Sequence, residues 1–178
     1  MKRSWPIFQG LIMLAAFGSC GALFLDNDTK AERREKAKSI HFVKDDSYQE
    51  ECGSCHLAFL PGFLPRRSWI KLMNSLEDHF GENASLEDKV TKDLKELLVA
   101  NAADSKKASQ RSKRMARLID TDDVLLRITE TPFWKRRHMS IREYVWEREK
   151  VKSRSNCEAC HHTAAKGRFS EYDVQIPD

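Results

Sequence analysis

Two short patterns, Cys52-Gly-Ser-Cys55-His56 and Cys157-Glu-Ala-Cys160-His161, constrain this chain more than anything else in it. Of its five cysteines, four lie in these two copies and only Cys20 stands apart. In C-x-x-C-H the two intervening residues let both thiols reach neighbouring vinyl groups of one haem, while the next imidazole comes under the iron as its proximal ligand. The competing readings explain less. Cys55 and Cys157 are 102 positions apart, far wider than the ligand pairs of zinc fingers and ribbons. A thioredoxin-type C-x-x-C belongs in a βαβ unit, which this sequence lacks. Disulfides would leave both histidines unexplained. The chain is therefore expected to carry two covalently attached c-type haems, on Cys52, Cys55 and His56 and on Cys157, Cys160 and His161.

Export fits that reading. Met1, Lys2 and Arg3 make a positive start, Pro6 to Phe17 is apolar apart from Gln9 and Gly10, and Cys20 and Ala22 give a small-x-small cleavage pattern. Residues 1–22 are expected to be a signal peptide and the protein periplasmic. Two rivals stand beside this: Trp5 to Leu25 is long enough to span a bilayer uncleaved, and Cys20 could carry lipid. Removing 22 residues deletes Lys2 and Arg3, so Lys plus Arg falls from 31 to 29 against 27 acids. So balanced a chain, with an overall pI of about 8.8, is not expected to bind nucleic acid. The charge is segregated all the same. Glu77 to Asp104 holds eight acids and three lysines, whereas Lys106 to Arg117 holds six basic residues and no acid. Such an asymmetry either orients a charged partner or is merely a pair of solvated helix faces.

Each haem iron needs a second axial ligand, Met or His. The stretch RRSWIKLMNSLEDHF spaces Trp69, Leu72, Met73, Leu76, His79 and Phe80 as one helical stripe. His79 on that stripe is the expected ligand of the first iron, with Met73, on another side of the same helix, packing. For the second iron His138 leads, in ITETPFWKRRHMSI just upstream of the second motif, with Met139 as its neighbouring rival. His41 and His162 are expected at the surface.

The rest reads as helix and loop. Pro61, Gly62 and Pro65 make a loop after the first motif, and Gly81 ends the helix that runs through Trp69 to Phe80. Ser85 with Asp88 resembles a capping box opening a helix through Val90, Leu94, Leu97 and Leu98 to about Asn101. The expected fold is mainly α: an N-terminal cytochrome-c-like haem domain (residues 23–104), a basic linker or helix (105–123), and a small, loop-rich C-terminal haem segment (124–178) packed against it. Trp134, Trp146, Phe133, Phe169 and Tyr172 of that segment are expected to fill core and haem pocket.

The stretches YQEECGSCHLAFLPGFLPRRSW, LEDHFGENASL, ITETPFWKRRH and NCEACHHTAAKGRFSEYDVQIP together resemble the bacterial dihaem cytochromes c (DHC type). The resemblance implies bis-histidine ligation, His56 with His79 and His161 with His138. It also implies low potentials and redox partners such as an oxygen-binding monohaem cytochrome c or a membrane cytochrome b. His162 and the basic Ser105 to Arg117 segment depart from that pattern. With both irons doubly ligated the expected role is electron transfer, not catalysis. The alternative is a small dihaem peroxidase or gas binder with one five-coordinate haem. A membrane-held subunit is a third reading, should the N-terminal segment be retained.

Overall fold

The computed structural model of the chain describes residues 39–178. The expected signal peptide, with Cys20, lies outside the described residues. Among the described residues there is no β-strand, only two isolated bridges, His79 with Glu82 and His161 with Val174, and the mainly α expectation holds. No helix there is long and apolar enough to cross a membrane.

The first helix, α1 (Asp46–Gly53), starts because Asp45 takes an extended backbone and its carboxylate accepts the Tyr48 N–H at 2.8 Å. Cys52 rides its last turn, and Cys55 and His56 follow just beyond its end. The chain then turns through a buried 3₁₀ turn, Pro61–Phe63, into α2 (Arg66–Met73). Its first N–H group, that of Arg66, donates to the Asp104 carboxylate at 2.9 Å, doing from another loop what an N-cap side chain does locally.

Periodicity predicts this helix as far as Phe80, and here the structure differs. The helix ends at Met73. Asn74 caps it, the Ser75 hydroxyl donates back to the Lys71 carbonyl at 3.0 Å, and a 3₁₀ turn, Leu76–Asp78, leads to His79. The i, i+3 spacing survives because a 3₁₀ turn has nearly the same period, so the stripe outlasts the helix that it implied. His79 therefore stands in a turn, where Phe80 (φ 60°) and Gly81 (φ 99°) both have left-handed backbones. Met73 is buried in the core.

The next helix, α3 (Asp88–Ala100), packs against α2 and ends at Asn101 as expected. The capping box does not form. Glu87 occupies the cap position without a side-chain bond, and the Ser85 N–H instead donates to the Asn83 side chain at 2.9 Å. Leu94 and Leu98 of α3 meet Tyr48, Leu64, Trp69, Leu72 and Met73 in the main core. Within the basic segment, α4 (Gln110–Ala116) is capped by Ser109, whose hydroxyl accepts the Ser112 N–H. It buries Ser112 and Met115, and Met115 meets Ile40, Leu60 and Phe63 in a second core.

In the C-terminal region Thr131 and Pro132 open α5 (Pro132–His138). The Thr131 hydroxyl accepts the Trp134 N–H at 3.2 Å, and Pro132 sits where its missing N–H costs nothing. Lys135, Arg136, Arg137 and His138 close the helix at its electronegative end. A short α6 (Glu143–Trp146) and three 3₁₀ turns complete the chain. Phe59 and Ile128 pack on both cores, and Phe133 and Phe169 join the second.

Candidate haem sites

The fold brings the eight residues singled out by sequence into two groups. His56 and His79 face each other with ring centres 6.0 Å apart, and His138 and His161 do so at 6.2 Å. In both pairs the partners are 23 positions apart in sequence, motif histidine first in one and last in the other. A metal ion between two imidazoles needs roughly 2 Å on each side, plus the roughly 1 Å from nitrogen to ring centre. Both spacings match that requirement.

Each pair is held in the same complementary way, one member by its ring and the other by its backbone. His56 Nδ1 bonds the Leu57 carbonyl at 2.8 Å, and His138 Nδ1 bonds the Trp134 carbonyl at 2.9 Å. Holding Nδ1 as the donor leaves Nε2 as the free lone pair, the state a metal-bound imidazole takes. His79 is pinned through its main chain, its N–H donating to the Glu82 carbonyl at 2.7 Å. His161 lies in the bridge to Val174, beside the bond from the Gln175 N–H to the Cys160 carbonyl at 3.0 Å. Among the described residues, Nδ1 of His79 and Nδ1 of His161 are buried without a hydrogen-bond partner. A buried imidazole left like this points to a missing neighbour.

Electrostatics agree with the geometry. Burial, helped by the neighbouring His56 and Arg127, holds His79 below the ordinary histidine range. Burial lowers His161 too, with His138 and His162 adding to it, and it lowers His138 against the opposing effect of its bond to Trp134. In all three the shift favours the neutral ring, the form in which an imidazole can bind a metal.

Cys52, Cys55, Cys157 and Cys160 form no disulfide with one another. Burial first, and then the adjacent Glu51 or Glu158, pushes Cys52 and Cys157 up to about 11. Two cysteines one turn apart, a histidine directly after them and a second imidazole opposite are the donor set of c-type haem, and the residues present fit that group.

The other sequence candidates lie elsewhere. Met139 is 81% exposed, and Met73 is sealed in the main core. His41 and His162 are exposed. Tyr172, expected as filler, is 91% exposed, whereas Trp134 does more than fill. Its indole lies on the His138 ring with centres 4.4 Å apart and planes 19° from parallel. The signal for that contact was present in the i, i+4 spacing of Trp134 and His138.

Comparison with known proteins identifies a family. The dihaem cytochrome c family (DHC) matches residues 48–169. A solved dihaem cytochrome c from Rhodobacter sphaeroides is similar at 41% identity and TM-score 0.62, over 71% of this chain and 98% of that one. The dihaem cytochrome sb-DHC from Shewanella baltica OS155 is similar at 36% identity and TM-score 0.61, over 76% of this chain and 95% of that one. No curated protein matches the chain.

Proposed function

The chain belongs to the dihaem cytochrome c family and carries two covalently bound c-type haems; from that premise we propose that it is a periplasmic electron carrier whose irons are both bis-histidine ligated, by His56 with His79 and by His161 with His138. The observation that carries this reading is the facing of two imidazoles at each site, 6.0 and 6.2 Å apart. When bound, the haems supply a one-electron ferric/ferrous couple. The protein's own residues do the rest. A ring on either side leaves no axial position for oxygen, peroxide or carbon monoxide, which favours carriage over catalysis. Bis-imidazole ligation places both potentials low, since it is methionine that raises them. Leu57, Trp134 and the two bridges would hold the rings in place around a bound haem.

The partners fitting this reading are other redox proteins, an oxygen-binding monohaem cytochrome c or a membrane cytochrome b. The helix that carries His138 also borders a cleft of about 290 Å³ lined by Arg111, Arg114, Met115, Leu118, Phe133 and Arg137. Arginines around an apolar floor suit a partner with an acidic rim about its own haem edge. The test is an optical spectrum of the reduced protein with and without carbon monoxide. No change is expected; a shift in either haem would overturn the bis-histidine reading and make a gas-binding or peroxidase haem the leading one.

A further inference from the structure

The two sites have nearly the same ring spacing but not the same ring orientation. The planes of His56 and His79 are 21° apart, while those of His138 and His161 are 78° apart. We propose that Trp134 is a positioning residue that holds His138 crosswise to His161, so that the C-terminal haem differs from the N-terminal one in electronic structure and is reduced first. The inference rests on the bis-histidine reading above and goes beyond it.

Two contacts from one residue fix His138. The Trp134 carbonyl takes the Nδ1 proton at 2.9 Å, which sets the direction in which the ring points. The Trp134 indole, stacked at 4.4 Å and 19°, sets the rotation of the ring about that direction. Trp134 is itself fixed. It is buried, its N–H is capped by Thr131, and its ring rests on Trp146 at 5.5 Å. His161 takes its own orientation from the bridge to Val174 and from Phe169 at 5.5 Å. Among the described residues, no indole lies on His56 or His79. His56 lies against Phe59 at 29°, and its ring runs nearly parallel to that of His79.

The consequence follows from ligand π-donation. An imidazole donates through the orbital perpendicular to its plane. Two parallel rings therefore raise the same one of iron's two axial dπ orbitals and split the pair, while two crossed rings raise one each and leave the pair nearly degenerate. Low-spin ferric iron has one hole in this pair, and the splitting stabilises it by placing the hole in the raised orbital. Ferrous iron fills both orbitals and gains nothing from the splitting. Crossed rings thus remove a stabilisation of the ferric state alone, and the iron they hold is the easier to reduce. Orientation of the axial ligands joins ligand identity and hydrogen bonding as a means by which the protein sets a potential.

The experiment is electron paramagnetic resonance of the holoprotein during a redox titration. Two low-spin ferric signals of equal intensity are expected, one rhombic and one a single broad feature at unusually large g, with the large-g signal disappearing first on reduction. Trp134→Met fills the space without a stacking plane, and should convert the large-g feature into a second rhombic signal while leaving the first unchanged. Trp134→Phe keeps a smaller plane and should retain the large-g feature in broadened form; it decides the matter even if the Met variant fails to accumulate. Two rhombic signals in the unaltered protein, or a large-g feature untouched in the variants, would overturn the proposal while leaving bis-histidine ligation standing. A high-spin signal would overturn that ligation as well.

Discussion

Replacing Gly62 with Ala adds a single methyl group at a place where two effects oppose each other, and the structure decides which one wins. Gly62 is buried in the 3₁₀ turn after the first haem motif, and a Cβ built on it would lie 2.7 Å from the Ser112 hydroxyl and 2.8 Å from Cγ2 of Ile40. Carbon contacts are comfortable at about 3.5–4.0 Å, so both neighbours would have to retreat. Neither does so easily. Ser112 is 1% exposed and hydrogen-bonded to the Ser109 hydroxyl at 3.1 Å, and Ile40 is β-branched and stiff about χ1. Overpacking of this kind costs about 1–3 kcal/mol. Against it, an alanine at a φ that it can adopt restricts the unfolded chain, a gain of about 0.4–1 kcal/mol. A net loss of about 1–2 kcal/mol is expected, with Tm falling by roughly 3–8 °C. Guanidinium unfolding of the haem-loaded protein, followed by far-ultraviolet circular dichroism, measures it. Ser112→Ala removes one of the two clashes, so the double variant should show a favourable coupling of about 0.5–1 kcal/mol. A Gly62→Ala protein as stable as the parent, or a coupling of zero, would refute the reasoning.

Leu98→Ala should cost about 3–5 kcal/mol in the same unfolding assay, because Leu98 is 1% exposed between α2 and α3 and the helices cannot close the void. His79→Ala should open one iron, so that carbon monoxide shifts half of the reduced haem absorbance; His162→Ala, at an exposed position, should shift none. Arg114→Glu should slow reduction by the dithionite anion several-fold at low ionic strength in stopped flow. The difference should vanish near 1 M salt, where the screening length is about 3 Å.

The histidine that faces His56 could be named from sequence for a reason that the structure replaces. A 3.6-residue stripe led to His79, yet the helix stops at Met73 and the residue is delivered by a 3₁₀ turn and a two-residue bridge. Both geometries repeat about every three residues, so hydrophobic spacing cannot distinguish them. The left-handed Phe80 is invisible to any pattern, because nothing in a phenylalanine announces a positive φ. The α3 helix was legible because Val90, Leu94, Leu97 and Leu98 leave no other period open. Its start was not, because Asn83 competes for the N–H that a capping box would have used. Thr131-Pro132 would have located α5, and with it the Trp134 and His138 pair, as a cap followed by a residue that needs no donor. The angle between two imidazole planes lies beyond sequence altogether, since it depends on contacts between side chains rather than on their spacing.

The 23-residue separation within each histidine pair bears on how the molecule is made. Both pairs are closed by short, non-overlapping stretches of chain, 56–79 and 138–161, so neither pocket waits for the other. Closing a loop of that length costs about 3 kcal/mol of chain entropy beyond a constant. As the polypeptide emerges from its N-terminus, the first pocket is complete in sequence some eighty residues before the second. In the first, the thiols and their adjoining histidine arrive ahead of the opposing imidazole; in the second, the opposing imidazole is already waiting. The two pockets can therefore be completed one at a time, with motif and opposing imidazole arriving in opposite order.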